Sequence, residues 1–295
     1  MTTLRYEVVA IFGPTASGKS AVAQELAARL GTEVVSADAL QVYRGLPILT
    51  NQPPEPTRLV AIRTLADTMS VGEYAPLAHA AIDDLVTAHD TAVVAGGTGL
   101  YLRAALADLD IPPASSSLRR RELEHLYDSD PNAAYERLRT LDPVTAEAVH
   151  VNDRRRVVRA LELVEVGSSL LPADDRLWSE EMRRPTIVVG LDVPPAELDR
   201  RIVVRTDEML RRGVVAEVDA ARRLPLSDTA EKALGLDDLA TLPLAEARDR
   251  IVLRTRRYAA YQRKWMRRIP GIVMIDADRP IEQVVDAILD VARTR

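Results

Sequence analysis

A complete phosphate-binding loop lies near the start of the chain and reads Gly13-Pro14-Thr15-Ala16-Ser17-Gly18-Lys19-Ser20, the motif G-x-x-x-x-G-K-S. Its glycines let backbone N–H groups point toward one anion, and the N-terminus of the following helix adds a positive dipole. Lys19 supplies a cation, and the Ser20 hydroxyl can bind Mg²⁺. The loop therefore predicts a site for a magnesium-bound polyphosphate.

Two further segments could do chemistry at strand ends. Asp38 follows the apolar pair Val34 and Val35, where its carboxylate could bind a metal ion or accept a proton. An aspartate that only caps a turn is the alternative. The segment Gly96-Gly97-Thr98-Gly99-Leu100-Tyr101 follows another apolar run, and its glycines would let a bulky acceptor approach the backbone. Taken alone, adjacent glycines more often mark a simple turn.

Arg205 interrupts the apolar face of a predicted helix. It shares the spacing of Leu198, Ile202 and Met209, so the four side chains lie on one side. Such an arginine either extends to solvent or binds an anion. A diphosphate in the glycine loop would suit its guanidinium, which binds phosphate oxygens in bidentate fashion.

Two basic segments could meet nucleic acid. Residues 250–268 contain eight basic residues, no acidic residue and the aromatics Tyr258, Tyr261 and Trp265. Asp153 is a predicted N-cap for a second arginine-rich helix, in which Arg156 and Arg159 share a face. Either segment could bind phosphates or simply form a solvated helix surface.

Composition excludes several classes of site. The net charge of −5 argues against a generally basic nucleic-acid coat, and the chain has no cysteine for disulfides or thiolate metal sites. The four histidines are far apart in sequence, which argues against a transition-metal cluster. Neither a signal peptide nor a membrane span is indicated. We expect a cytoplasmic monomer without a membrane partner.

Alternating strand and helix patterns predict an α/β fold. We expect strands at 6–12, 33–36, 91–95 and 186–193, with helices at 19–30 and 76–88. Between them the pattern is helical. The prediction is a P-loop NTPase-like parallel sheet flanked by helices with an all-helical insertion: a first core part at 1–112, the insertion at 113–185, and a second core part at 186–295 that carries the basic helix.

Five segments taken in order make the chain resemble the tRNA dimethylallyltransferases. That family uses G-P-T-A-S-G-K-[ST], S-A-D-S-x-Q-x-Y, G-G-T-G-L-Y, N-D-x-x-R-x-x-R-A-L-E and a late T-R-x-[YL]-A-x-x-Q-x-x-W. The matching segments begin at Gly13, Ser36, Gly96, Asn152 and Thr255. The resemblance implies transfer of a dimethylallyl group from dimethylallyl diphosphate to N6 of adenosine 37, beside the tRNA anticodon.

Matching motif positions imply a role for each candidate. The phosphate loop would bind the departing diphosphate with Mg²⁺ on Ser20, and Arg205 would stabilise the charge that develops there. Asp38 would take the N6 proton and Thr98 would orient the amine. The amide of Gln41 would meet a nucleobase edge. The expected contacts to the tRNA anticodon stem-loop are Asp38, Ala39, Leu40, Gln41, Thr98, Arg119, Arg155, Arg156, Arg159, Arg263 and Lys264.

The chain departs from the family pattern on the acceptor side. Ala39 replaces a serine, Gln52 replaces the lysine of T-A-K-P, the stretch that follows lacks a His-His pair, and Gly235-Leu236-Asp237-Asp238 replaces Gly-Tyr-Lys. The alternatives are an adenylate isopentenyltransferase that acts on AMP or ADP, a P-loop small-molecule kinase, and an RNA-binding protein without catalysis. The helical insertion and the basic aromatic helix favour a tRNA acceptor over a mononucleotide.

Overall fold

The computed structural model describes residues 4–109, 111, 117–171 and 176–294. The chain divides into two compact units. The first combines Met1–Leu109 with Glu180–Arg295, and the second is Asp110–Ser179. Within the described residues, no helix is long and apolar enough to cross a membrane.

The first unit is built on a six-stranded parallel sheet with the order β3-β2-β4-β1-β5-β6. The strands are β1 Val8–Phe12, β2 Val34–Ser36, β3 Thr57–Arg58, β4 Ala92–Gly96, β5 Thr186–Asp192 and β6 Val273–Asp276. Every residue of β1 is buried, because helices cover both faces of the sheet. Since all strands run in parallel, the loops after β1, β2 and β4 lie at one edge.

Alternate residues of β1 belong to two different cores. Val8 and Phe12 pack in the core with α2 (Val71–His89) and α3 (Gly99–Leu106), whereas Val9 and Ile11 pack in the core with α1 (Lys19–Leu30) and α12 (Ile281–Thr294). The helices of this unit are α1 Lys19–Leu30, α2 Val71–His89, α3 Gly99–Leu106, α8 Pro195–Arg211, α9 Val214–Arg222, α10 Leu236–Thr241, α11 Leu244–Met266 and α12 Ile281–Thr294. Three-layer packing of this kind holds the sheet edge rigid beneath the loops.

The second unit is helical in its described part. Its helices are α4 Ser117–Ser129, α5 Pro131–Leu141, α6 Pro143–Ala148 and α7 Arg154–Glu165. They bury a separate small core that includes Leu123, Leu138 and Leu161. Asp153 caps α7 as predicted, since its side chain accepts the Arg156 backbone N–H.

Most of the predicted strand and helix boundaries agree with the structure to within one residue, and the larger differences are these. β1 begins at Val8 instead of residue 6, and α2 begins at Val71 instead of residue 76. Residues 180–185 belong to the first unit, where Arg183 and Arg184 both bind the Asp83 carboxylate. The predicted division between residues 112 and 113 lies outside the described part of the chain.

Candidate active site

Three loops meet at the carboxyl edge of the sheet: the phosphate loop after β1, the segment after β2 and the glycine loop after β4. Ala39 N–H donates to the Thr98 hydroxyl at 3.3 Å. At Gly96, a Cβ atom would lie 2.1 Å from the Ala37 carbonyl oxygen. The second and third loops are therefore in direct backbone contact, and Asp38, Gly96 and Gly97 line the same cavity.

The phosphate loop leads directly into the N-terminus of α1. Gly18, the residue before the helix, has a φ of 88°, a left-handed conformation that glycine adopts at little cost. The Lys19 ammonium donates to the Pro14 carbonyl at 2.8 Å. The buried Ser17 hydroxyl has no hydrogen-bond partner among the described residues. A phosphate oxygen in the loop could supply such a partner and would meet the positive end of the helix.

Helix α8 brings Arg205 to the phosphate loop. Its guanidinium donates from Nη1 to the Thr15 hydroxyl at 2.6 Å, and Ile202 and Met209 lie on the same helix face. Burial lowers the pKa of Arg205, but a guanidinium stays charged because its ordinary pKa exceeds 12. The side chain is held at the loop and does not extend into solvent. Its contact with a diphosphate stays a prediction.

Burial and two charged neighbours set the pKa of Lys19. Burial lowers its pKa to about 8, the Asp38 carboxylate opposes this shift, and the Arg205 guanidinium adds to it. The ammonium is therefore mostly charged at neutral pH and becomes neutral in mildly alkaline solution.

Asp38 both shapes its own turn and faces the site. Its Oδ1 accepts the Leu40 backbone N–H at 2.9 Å, the turn-capping contact weighed above as an alternative. Its Oδ2 has no hydrogen bond within the described residues, and the residue lines the same cavity as Lys19. The capping contact fixes the carboxylate and leaves one oxygen for chemistry.

Helix α11 contributes two polar side chains that sequence reasoning gave no role. The Tyr258 side chain lines the same cavity as Asp38, and burial together with the nearby Asp38 charge raises the pKa of Tyr258 to about 12. Gln262, which is 2% exposed, accepts the Thr15 backbone N–H at 2.7 Å and donates to the Gly97 carbonyl at 2.8 Å. One buried amide thus joins the phosphate loop to the glycine loop.

Most of these groups line one cavity of about 140 Å³, whereas Thr98 is not part of its lining. Thr15, Lys19, Ser20 and Arg205 form a cationic part, and Asp38 lies on the same lining. Apolar side chains line another part of the cavity: Leu40, Leu49, Ile202, Met209, Leu234 and Ile251. Polar side chains, among them Gln41, Thr50, Asn51, Thr206 and Thr255, complete the lining. This combination suits a ligand that carries phosphate on a short hydrocarbon.

Comparison with known proteins connects the site to one family. The profile described as IPP transferase matches residues 41–269, which is well over half of the chain. The chain belongs to the IPP transferase family. A second profile, described as Isopentenyl transferase, matches residues 6–65, the part that carries the phosphate loop and Asp38.

Individual relatives agree with the family assignment. The tRNA dimethylallyltransferase of Thermobifida fusca is 38% identical over 92% of this chain and 91% of its own length. That of a Nocardioides species is 39% identical over 95% of this chain and 94% of its own length.

Solved structures share the architecture. The tRNA isopentenylpyrophosphate transferase of Bacillus halodurans aligns with a TM-score of 0.69 at 29% identity, covering 97% of this chain and 95% of that one. A eukaryotic dimethylallyltransferase, captured in crystallographic snapshots while acting on tRNA, aligns with a TM-score of 0.75 at 26% identity, covering 92% of this chain and 73% of that one. The predicted P-loop NTPase-like fold and the family resemblance are confirmed.

The predicted acceptor residues after β2 have different local tasks. Ala39 donates its backbone N–H to Thr98, and Leu40 lines the cavity. The Gln41 amide is engaged within the chain: its oxygen accepts from the Ser36 hydroxyl at 2.9 Å, and its nitrogen donates to the Asn51 carbonyl at 2.9 Å. Gln41 therefore shapes the cavity wall, and its contact with a nucleobase edge stays a prediction.

The predicted RNA contacts of the helical unit divide into paired and exposed arginines. Arg119 forms ion pairs with Glu122 and Glu165, and Arg159 pairs with Glu162 at 3.3 Å. The side chains of Arg155 and Arg156 are exposed. Their contacts with RNA stay predictions, and the paired arginines would need to exchange partners to make them.

Helix α11 presents less positive charge to a partner than its sequence suggests, because the structure engages part of that charge within the chain. Arg263 is half-buried, donates to the Val193 carbonyl at 3.2 Å and lies 3.3 Å from the Asp192 carboxylate. Lys264 is exposed. Arg263 thus ties α11 to the end of β5, whereas Lys264 remains available to a partner.

The departures from the family pattern have local structural uses. The Gln52 amide donates to the Tyr43 carbonyl at 2.7 Å, and Leu236 is fully buried in the core with α2 and α3. Asp238 is 1% exposed and binds Arg254 at 2.6 Å. None of these replacements removes a group from the phosphate loop or from Asp38.

Proposed function

We propose that this protein transfers the dimethylallyl group of dimethylallyl diphosphate to N6 of adenosine 37 in tRNA and releases diphosphate. The observation that carries the proposal is the cavity that joins a cationic phosphate loop, an apolar wall and the Asp38 carboxylate in a member of the IPP transferase family. tRNA dimethylallyl transfer is the activity that the curated relatives bear in their names. Those names do not specify the modified nucleotide or the cellular location. We propose in addition that the target is adenosine 37 in the anticodon stem-loop and that the protein is a cytoplasmic monomer.

The diphosphate end of the donor lies in the phosphate loop. As the allylic C–O bond breaks, negative charge grows on the departing diphosphate, and loop N–H groups, Lys19 and Arg205 stabilise that charge. The apolar wall holds the five-carbon group and keeps water from the carbon that becomes electron-poor. Hydrolysis of the donor is thereby disfavoured against transfer to the amine.

The residues present fit a Mg²⁺ ion bound mainly through the substrate. Among the described residues no group of three or more histidine or acidic side chains could hold a metal by itself. The Ser20 hydroxyl lines the cavity and offers a hard oxygen ligand of the kind that Mg²⁺ prefers. When bound, the ion would neutralise charge on the diphosphate.

The acceptor amine lies between Thr98 and Asp38. N6 attacks the allylic carbon, a C–N bond forms, and the proton that N6 loses goes to Asp38. Thr98, which already accepts the Ala39 N–H, orients the amine through its hydroxyl. A base in an anticodon loop must leave its stack to reach this site, and unstacking is cheaper in a loop than in a duplex.

Incubation with radiolabelled dimethylallyl diphosphate tests the proposal directly. Parallel reactions contain an anticodon stem-loop, the same stem-loop with inosine in place of adenosine 37, AMP, or no acceptor. Label on the adenosine stem-loop alone supports the proposal. Label on AMP would instead identify an adenylate isopentenyltransferase, and ATP hydrolysis without label transfer would identify a different P-loop activity.

The pKa of Lys19 predicts an alkaline limb in the rate profile. We expect kcat/KM for the donor to fall as pH rises through about 8, because the free protein then loses the lysine charge that the diphosphate needs. Lys19→Arg keeps its charge at this pH. Its profile should lack the limb, although its overall rate is lower. A limb at the same pH in the variant would assign the titration to another group.

Because the buried Gln262 amide joins the two loops, we expect its replacement to lower turnover with little effect on donor binding. Gln262→Met keeps the volume but removes both loop hydrogen bonds, so the two loops lose their fixed separation. We expect kcat to fall about 100-fold, since small misplacements of reacting groups cost this much. Affinity for an unreactive thiolo analogue of the donor should change less than about threefold, well below the cost of one lost charged contact.

Gln262→Glu provides the matched control. A carboxylate can still accept the Thr15 N–H but cannot donate to the Gly97 carbonyl when ionised. Its kcat should lie between those of the wild type and Gln262→Met. A donor affinity that falls in parallel with kcat in both variants would show general disruption of the phosphate loop and not a positioning role.

A further inference from the structure

One exposed face of α11 carries an aromatic ring between two cations. Arg257, Tyr261 and Lys264 follow 4-3 spacing and therefore share a face of the helix. Arg257 and Lys264 are exposed, and Tyr261 is 55% exposed despite its large ring. We call these three residues the tyrosine face.

The tyrosine face borders the site through a chain of direct contacts. The Tyr261 hydroxyl accepts the Trp265 indole N–H at 2.7 Å. The Trp265 ring packs against Gly99, where an added Cβ would lie 2.2 Å from ring atom Cε3. Gly99 directly follows Thr98. Around the helix, the order runs from Gln262 at the cavity through Trp265 to Tyr261.

The cations of α11 that flank the Tyr261 ring differ from the other basic residues of the helix in having no acidic partner within the described residues. Five other arginines of α11 face carboxylates within the first unit, at 2.6 to 3.5 Å: Arg248 with Asp207, Arg250 and Arg254 with Asp238, Arg256 with Asp199, and Arg263 with Asp192. For Arg257 and Lys264, no acidic partner is found within the described residues. Cations left unpaired around an exposed aromatic side chain match the charge and chemistry of single-stranded RNA.

We propose that Tyr261 stacks on a nucleobase of the tRNA loop that neighbours the modified adenosine, while Arg257 and Lys264 bind the adjoining phosphates. This proposal rests on the proposed function, because it names the RNA contact of the same reaction. When the target adenosine leaves its stack, its neighbour loses a stacking partner. The Tyr261 ring replaces that partner at the rim of the site, and the indole hydrogen bond holds the ring in place.

The ring and the hydroxyl can be tested separately. Tyr261→Phe removes the hydrogen bond to Trp265 but keeps the stacking surface, whereas Tyr261→Ala removes both. We expect Tyr261→Ala to weaken stem-loop binding about tenfold and Tyr261→Phe about twofold, from the usual effect of losing one stacked base. Leu244→Ala, at an equally exposed position at the start of α11, is the matched control and should bind as the wild type does.

Abasic RNAs identify the stacked nucleotide. Affinities of wild type and Tyr261→Ala are measured for the intact stem-loop and for stem-loops that each lack one loop base. The proposal requires one abasic RNA, at a position next to the target, on which Tyr261→Ala has almost no further effect. Equal losses on every RNA, or wild-type binding by Tyr261→Ala, would overturn it.

Salt dependence tests the phosphate contacts, and transfer separates the two proposals. Arg257→Ala and Lys264→Ala should each reduce the slope of log affinity against log salt by about 0.7, the value for one single-stranded phosphate. Unchanged slopes would contradict the assignment of these cations. Label transfer to the stem-loop by the wild type depends on the proposed function alone. If the wild type transfers label but the abasic RNAs show no stacking contact for Tyr261, only the proposed role of the tyrosine face is rejected.

Discussion

Asp38→Asn should lower the rate of label transfer by about 1000-fold, in the range expected for loss of a positioned general base. The asparagine keeps a side-chain oxygen for the Leu40 N–H and so preserves the turn after β2. It cannot take the N6 proton. The rate is measured in a single turnover with both substrates saturating, so that product release does not hide the chemical step.

Donor binding provides the control for Asp38→Asn. Affinity for the thiolo analogue should be retained, because the cationic part of the cavity is untouched. Asp38→Ala should be equally inactive but less stable, since it also loses the turn contact. Turnover within about tenfold of the wild type in Asp38→Asn would place the proton elsewhere and remove Asp38 from the catalytic step.

Arg205→Ala should reduce kcat/KM for the donor by about 100- to 1000-fold, the usual cost of losing one group that stabilises developing charge. Its guanidinium is held at the phosphate loop by the Thr15 hydroxyl at 2.6 Å. The alanine variant loses both a donor contact and the brace on Thr15. We therefore expect weaker donor binding and slower transfer together, measured by analogue titration and by single-turnover kinetics.

Two further variants define what Arg205 contributes. Arg205→Lys restores the charge without the planar, two-pronged donor, so it should recover binding better than turnover. Arg211→Ala removes an exposed arginine from the end of the same helix and should leave both constants unchanged. Wild-type kinetics in Arg205→Ala would show that this arginine does not meet the diphosphate.

Much of the fold could be predicted because its signals are local. The phosphate loop, the buried strand before it and the helix after it are specified within one stretch of chain, and the structure places them as predicted. The start of α2 is also encoded locally, since Ser70 and Glu73 form a capping box, whereas a start at Pro76 rests on the proline alone. The two-residue strand β3 is too short to leave a pattern.

The remaining parts of the site depend on contacts between residues far apart in sequence. Gln262 lies 247 residues from Thr15, so its hydrogen bond could not be read from spacing, although the residue stands in a recognised motif. The pairing of Arg263 with Asp192 has the same origin and makes one member of a basic run structural. A charge pattern along one helix does not reveal which acids the other elements bring to it.

The contact between Gly96 and Ala37 limits how this enzyme could be redesigned. A methyl group at residue 96 would collide with main-chain atoms, which cannot move aside as a flexible side chain can. The spacing between the loops that follow β2 and β4 is thus set by the polypeptide backbone itself. Attempts to broaden the range of prenylated nucleobases should therefore leave both loops intact and vary the replaceable side chains that α11 presents, beginning with Tyr258.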